Sequence, residues 1–318
     1  MKETVPMKEK ESHHWWPKCI SEHWKDNRGY VYKLSSDRAE PEPLKNNERF
    51  GFTPNAHSIK LPHVISEGVM VQLHNNDADE KWKDDECFEH FFQLHDNNNG
   101  FKHIFKWLKI LENEQENLDI LLECLLSLVV RSPSFFRQIT SDMENLTIQE
   151  EHTIKINIRD ALKNFRRKLF YDDIVWGRQK ERRGKNAVGK FGILFSKEQE
   201  FIYGDGFVHN FTSCIAPPTE PKMIVPLLPN ICVCYFHLTR TTNPRLSTVE
   251  LKKDEVDFIN RKTIEYSKEC VFYKSNKPEN QYFGKYMPCD VDSKDLEINN
   301  FLCRVLNIKT NLIAGLYY

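Results

Sequence analysis

The chain has 318 residues, of which 40% are hydrophobic and 29% charged, with a formal net charge of -1. That length and balance suffice for a large core in one domain or two, exclude a disordered chain, and give no whole-chain attraction for nucleic acid. No apolar stretch approaches the roughly 20 residues of a membrane helix, and the charged opening Met1 to Glu11 has no apolar signal core, so the chain is expected to be cytoplasmic with no membrane contact.

Nine cysteines are present, at 19, 87, 124, 214, 232, 234, 270, 289 and 303. Their odd number, with no CxxC pair, argues for reduced thiols over a disulfide framework. Cys232 and Cys234 lie two apart in an apolar run, on one face of a strand, and read as core thiols.

Along the chain, residues 1–12 read as a flexible tail. Residues 13–83 form a region of strands and loops. Tyr30-Val31-Tyr32 reads as a strand after the Asn27-Arg28-Gly29 turn, Pro41 and Pro43 mark a loop, and 55–60 borders another strand.

Residues 84–186 read as helical. Leu118, Leu121, Leu122, Leu125 and Val129 recur at helical spacing, and Ser132-Pro133 should end that helix, because the residue before proline resists the helical well. A second stripe, Ile154, Ile158, Ala161, Leu162, Phe165 and Leu169, predicts a further helix.

Residues 187–318 are sheet-rich. Strands are expected at 191–195, 200–203, 231–236 and 271–273, with a turn at Gly204-Asp205-Gly206. Helices are expected over 253–270 and 294–306. The pattern predicts one compact α+β unit: a helical middle packed on a mixed sheet formed by the C-terminal half and an N-terminal strand around His13-His14.

Several ordered motifs resemble a bacterial family, the domain-of-unknown-function family 4238. Its members open with HHxxP, here His13-His14-Trp15-Trp16-Pro17, followed by Ser21, Trp24, Asp26 and Gly29. An R-(S/T)-P step follows, here Arg131-Ser132-Pro133. The family's F-I-x-S-D-N-P turn stands here as Phe201-Ile202-Tyr203-Gly204-Asp205-Gly206-Phe207, so Phe, Ile and Asp match and Ser, Asn and Pro do not. Pro226-Leu227-Leu228-Pro229 matches a P-L-x-P strand start, and Ile259-Asn260 through Val271-Phe272 matches an Asn-bearing helix running into a V-F strand. The resemblance covers roughly 13–275 and implies a component of bacterial conflict or mobile-element neighbourhoods.

The residues offer their own candidate chemistry. His13 and His14 titrate near neutrality; on a strand they face opposite sides, so one can serve as general acid or base while the other packs. The neighbouring Trp15 and Trp16 suit either a core strand or a base-stacking platform. Asp205, between two glycines at a strand end, can approach a substrate with His209 and Asn210 nearby, or can simply favour a turn. Arg131 can cap its helix through the dipole or grip a phosphate or carboxylate with its fork. Asn260, mid-helix, reads as a structural polar residue that must be satisfied if buried.

From Lys163 to Lys190 ten basic residues stand against three acidic ones, a net of +7. Arg166, Arg167, Arg178, Lys180, Arg182, Arg183 and Lys185 are the candidate phosphate contacts, or a solvated face and loop. Cys87, His90, His95 and His103 fit no zinc spacing, so no metal is assigned. Walker A, GxGxxG, GxSxG and HExxH patterns are absent from the sequence, which argues against nucleotide hydrolases, dinucleotide enzymes, serine hydrolases of that class and zincins, and names no cofactor.

The functional expectation is a toxin-like or anti-phage defence effector, a candidate nuclease on RNA or DNA, using His13 or His14 with Asp205, His209 and Arg131. The alternative is a non-enzymatic sensor or adaptor that binds a protein partner or inhibitor.

Overall fold

The computed structural model describes residues 12–45, 51–54, 58–60, 63–66, 69–72, 82–84, 92–93, 95–96, 100–112, 114–135, 137, 189–209, 222–236, 245–279, 282–283 and 291–307. The expected helix at 154–169 and the basic residues from 163 to 185 lie outside them.

The N-terminal part carries β1 (Ser12–His14), α1 (Lys18–Ser21), a 3-10 turn (Glu22–Trp24), β2 (Val31–Ser35), β3 (Glu42–Leu44), β4 (Phe52–Pro54), β5 (Ser58–Lys60), β6 (His63–Ser66), β7 (Val69–Gln72) and β8 (Trp82–Asp84). The middle carries α2 (Phe101–Trp107) and α3 (Glu114–Arg131). The C-terminal part carries β9 (Lys190–Phe195), β10 (Tyr203–Gly204), β11 (Val208–His209), β12 (Lys222–Leu228), β13 (Ile231–Phe236), β14 (Leu246–Glu250), α4 (Lys253–Tyr266), β15 (Cys270–Tyr273) and α5 (Val291–Val305). The class is α+β.

Two larger sheets organise the C-terminal half. A five-stranded mixed sheet runs β11-β12-β13-β9-β14, with only β14 and β9 parallel. Its central strands are almost continuously apolar and buried, as strands covered on both faces must be. Cys232 and Cys234 share one face, opposite Leu194 and Gly192, and both are fully buried. Gly192 is required there: a Cβ would come within 2.5 Å of both Cys234 Sγ and Leu306. The β12–β13 ladder slips between Pro226 and Leu228, where proline brings no N–H to the sheet.

The second sheet, β10-β15-β2-β3, is antiparallel. Its N-terminal contributors are β2 and β3. The histidine strand β1 pairs instead with β4, His13 opposite Thr53 and His14 opposite Phe52, in a separate two-stranded sheet. Pro43, expected in a loop, sits in the edge strand β3 opposite Tyr32, a place where a missing donor is tolerated.

Some boundaries differ from the sequence expectation for identifiable reasons. Of 200–203 only Tyr203 enters a ladder, because the Phe201 amide donates to Pro229 O and the Ile202 amide to Asn260 Oδ1. α4 stops at Tyr266 rather than 270, since Ser267 turns extended and the next two amides leave the helix. α3 ends at Arg131, directly before Ser132-Pro133, as expected. β14 lacks clean alternation, with Thr248 and Glu250 exposed and the rest half-buried, so its sequence carries no strand signal of period two.

The N-terminal segment is tied to both sheets by aromatic packing. Trp16, fully buried, stacks on Tyr203 with centroids 4.5 Å apart and lies 4.6 Å from Phe272. Trp24 donates its indole N–H to Leu227 O in β12, 3.2 Å away. Trp15 is 4% exposed, so neither tryptophan after the histidines is available to stack on a base; both are core.

Candidate functional site

The far-separated polar anchors draw near one another around Tyr203–Gly206, but as a buried junction. After α3 the chain passes Arg131-Ser132-Pro133-Ser134 and lies against the Asp205 turn: the Ser134 amide donates to Asp205 O at 3.0 Å, and Ser134 Oγ to Tyr266 O at 3.3 Å. Gly206 allows this approach, because a Cβ there would strike Tyr266 O and fall 2.8 Å from Ser134 Cβ.

Asp205 is 1% exposed. Its Oδ1 accepts the Lys268 amide and its Oδ2 the Glu269 amide, each at 2.8 Å, so both oxygens hold the turn from α4 into β15. Burial pushes its carboxyl up to about 6, against the two amides and Arg137, which favour the charged form.

Arg131 is also buried, and the partners of its guanidinium are Asp96, Ser127 and Phe92 rather than Asp205. Its two terminal nitrogens donate to Asp96 Oδ2 and Oδ1 at 3.0 Å each, and Nε donates to Ser127 O at 3.2 Å. The guanidinium lies 4.2 Å from the Phe92 ring centroid. The fork does grip a carboxylate, but one supplied by this chain.

His209 sits between the rings of Phe135 and Tyr266, at 5.9 and 6.0 Å. Burial pushes its imidazole down to about 3, so it is neutral at physiological pH. The cavity beside it measures about 10 Å³, room for one water at most, and admits no substrate.

Asn260 is 8% exposed and works as a clamp: Oδ1 accepts the Ile202 amide at 3.0 Å, and Nδ2 donates to Glu200 O at 2.9 Å. It holds the stretch before β10 onto α4. His13 and His14 are placed by their backbone alone; their side chains lie outside the described residues, as does Asn210.

Among the described residues no three His, Cys, Asp or Glu side chains could hold a metal. His103 instead shares a 2.5 Å hydrogen bond with Asn117. Burial raises the thiols of Cys19 and Cys234 to about 12 and that of Cys232 well above its ordinary value, leaving them protonated and unreactive. Among the described residues no helix is long and apolar enough to cross a membrane.

An open groove of about 660 Å³ runs along α4, bordered by Phe258, Arg261, Lys277, Tyr282 and Arg304. Its cations are committed: Arg261 to Glu297 at 3.0 Å, Lys277 to Glu40 at 3.4 Å and Arg304 to Glu255 at 3.6 Å.

Sequence reasoning missed Asp96, Tyr203 and the α4–α5 ion pairs. Asp96 falls in a polar run with no periodic signal, and its importance comes from a partner 35 residues away. No family model, curated protein or solved structure matches the chain, so the resemblance rests on the motifs themselves.

Proposed function

We propose that this protein is a non-enzymatic binding scaffold, a sensor or adaptor for a protein partner, in which the motif residues hold the fold together. One observation carries this reading: Arg131, Asp205 and Asn260 are each buried, and each spends its polar atoms on partners within the chain. A catalytic constellation needs polar groups that converge on a space a substrate can enter. The space beside His209 holds no more than a water.

The nuclease reading keeps two supports, the net charge of +7 over 163–190 and the paired histidines of β1. Purified protein incubated with RNA and with DNA, with and without chelator, separates the two. The scaffold reading expects no cleavage, and expects Asp205→Asn, Arg131→Met and Asn260→Ala to change function only as far as they lower stability. Cleavage that vanishes in His14→Ala or His13→Ala, with unfolding midpoints unchanged, would overturn it in favour of a nuclease.

A further inference from the structure

The two larger sheets end on β11 and β14, and on β10 and β3. β10 and β11 are two residues long and buried, and β3 carries Pro43 in a three-residue ladder. Short, covered or proline-bearing edges resist the addition of a further strand. β14 has none of these protections: it is five residues long, lacks proline and is half-buried to exposed throughout.

Its inner side is bonded to β9. The Phe191 amide donates to Arg245 O and the Leu251 amide to Phe195 O, each at 2.8 Å. In a parallel ladder alternate residues serve a given neighbour, so Arg245, Ser247, Val249 and Leu251 bond β9. The backbone N–H and C=O groups of Leu246, Thr248 and Glu250 face the other way and meet no partner among the described residues. The Glu250 carboxylate is held by Lys197 at 2.7 Å, which leaves its backbone open. Leu246 and Val249 rest on the main core from opposite faces of the sheet, and both are still half in water.

We propose that β14 docks an extended segment of a protein partner, which joins the five-stranded sheet as an added antiparallel strand; this rests on the scaffold reading above and names where the partner sits. The backbone groups of Leu246, Thr248 and Glu250 supply the hydrogen bonds, and side chains on both faces of the added strand complete the burial of Leu246 and Val249. β-branched residues suit those positions. Charge sets the direction. Lys252 and Lys253, just past the C-terminal end of β14, are exposed and form no ion pair among the described residues. An antiparallel segment brings its N-terminal end there, so it should open with carboxylates. A second copy of this chain fits less well. An edge of five residues is about 17 Å long and one sheet about 10 Å thick, so copies joined here alone would cover on the order of 200 Å² each, against about 800 Å² per partner in a stable complex.

The probe is a synthetic peptide that opens with two glutamates and continues as alternating valine and threonine, added at millimolar concentration to the full chain. Amide hydrogen exchange reads the outcome. Without peptide, the amides of Leu246, Thr248 and Glu250 should exchange freely while those of Ser247 and Val249 are protected by β9. With peptide, the three outward amides should slow at least about tenfold and the inward pair should change little. Thr248→Pro removes an outward N–H and spares the β9 ladder, so it should abolish the slowing at Leu246 and Glu250. Lys252→Glu combined with Lys253→Glu should weaken peptide binding about fivefold, the scale of two exposed ion pairs. Outward amides that are protected without peptide, or that do not slow with it, overturn the proposal. So does equal slowing by a peptide N-methylated on the residues that would face β14, a test that needs no folded variant. A dimer in sedimentation that Thr248→Pro dissolves gives the edge to a second copy and overturns the partner segment. The nucleic-acid assay on the same sample keeps the two readings apart: cleavage beside an intact peptide effect sinks the scaffold reading alone, and no cleavage with no peptide effect sinks the docking edge alone.

Discussion

Arg131 and Asp96 meet in a two-pronged ion pair, both contacts 3.0 Å, with the guanidinium 1% exposed and the carboxylate 36% exposed. The pair joins the end of α3 to a segment 35 residues upstream. Removing one partner of such a pair strands the other. Asp96→Ala leaves a buried guanidinium without its counter-charge and should cost about 2–4 kcal/mol, reduced from the fully buried case because Asp96 is partly in water. Arg131→Ala should cost at least as much, since the packing on Phe92 goes with the charge. Urea unfolding of the two single variants and the double variant gives the coupling, which should exceed about 1 kcal/mol.

Asn260 supplies a donor and an acceptor to backbone that has no other partner in a ladder. Asn260→Ala should therefore destabilise by about 2–4 kcal/mol, the cost of two orphaned buried groups. Asn260→Asp keeps the acceptor for the Ile202 amide but faces Glu200 O with an oxygen. It should fall below wild type throughout and recover part of the loss in acid, as read by thermal unfolding across pH.

The pH dependence of stability should show two opposing windows. Asp205 is raised from 3.8 to about 6, so between those values the folded chain holds a proton the unfolded chain has released, and stability falls as pH rises. His209 is lowered from 6.5 to about 3, so between those values the unfolded chain holds the extra proton, and stability rises with pH. Each slope approaches about 1.4 kcal/mol per pH unit at most, and over the shared range they cancel. Wild-type stability should be nearly flat from these two groups between about pH 4 and 6. His209→Gln should tilt it downward with rising pH and Asp205→Asn upward. Denaturant titrations at four or five pH values measure the slopes, and parallel profiles for all three proteins would refute this account.

Gly206 marks where the stretch after α3 touches the α4 terminus. Gly206→Ala should cost about 1–3 kcal/mol, because the added carbon meets the Tyr266 carbonyl, which is backbone and cannot swing aside. Gly29, with φ +83° and open space around it, should also tolerate alanine poorly, for conformational reasons alone. Comparing the two melting points separates a packing cost from a backbone one.

Much of the fold was legible because it is written locally. The leucine spacing through Val129, the break at Ser132-Pro133, the apolar run at 231–236 and the helix beginning near Lys253 all follow from residues a few positions apart. Tyr203 shows the limit: a strand pattern at 200–203 shrank to one paired residue there because Asn260 and Pro229 took the preceding amides.

The candidate residues show that limit more sharply. Their identities were visible in the sequence, and so were the two uses each could serve. Whether a carboxylate or guanidinium faces a ligand or the chain's own groups depends on partners 35 to 64 residues away, as with Arg131 and Asp96 or Asp205 and Glu269. The α+β class and the end of α3 before Ser132-Pro133 were readable in the residues alone, because side-chain periodicity and proline geometry act over a few residues. The pairing of His13-His14 with β4 and the burial of Arg131, Asp205 and Asn260 emerge in the folded chain, because they depend on which distant groups pack close enough to pair with them.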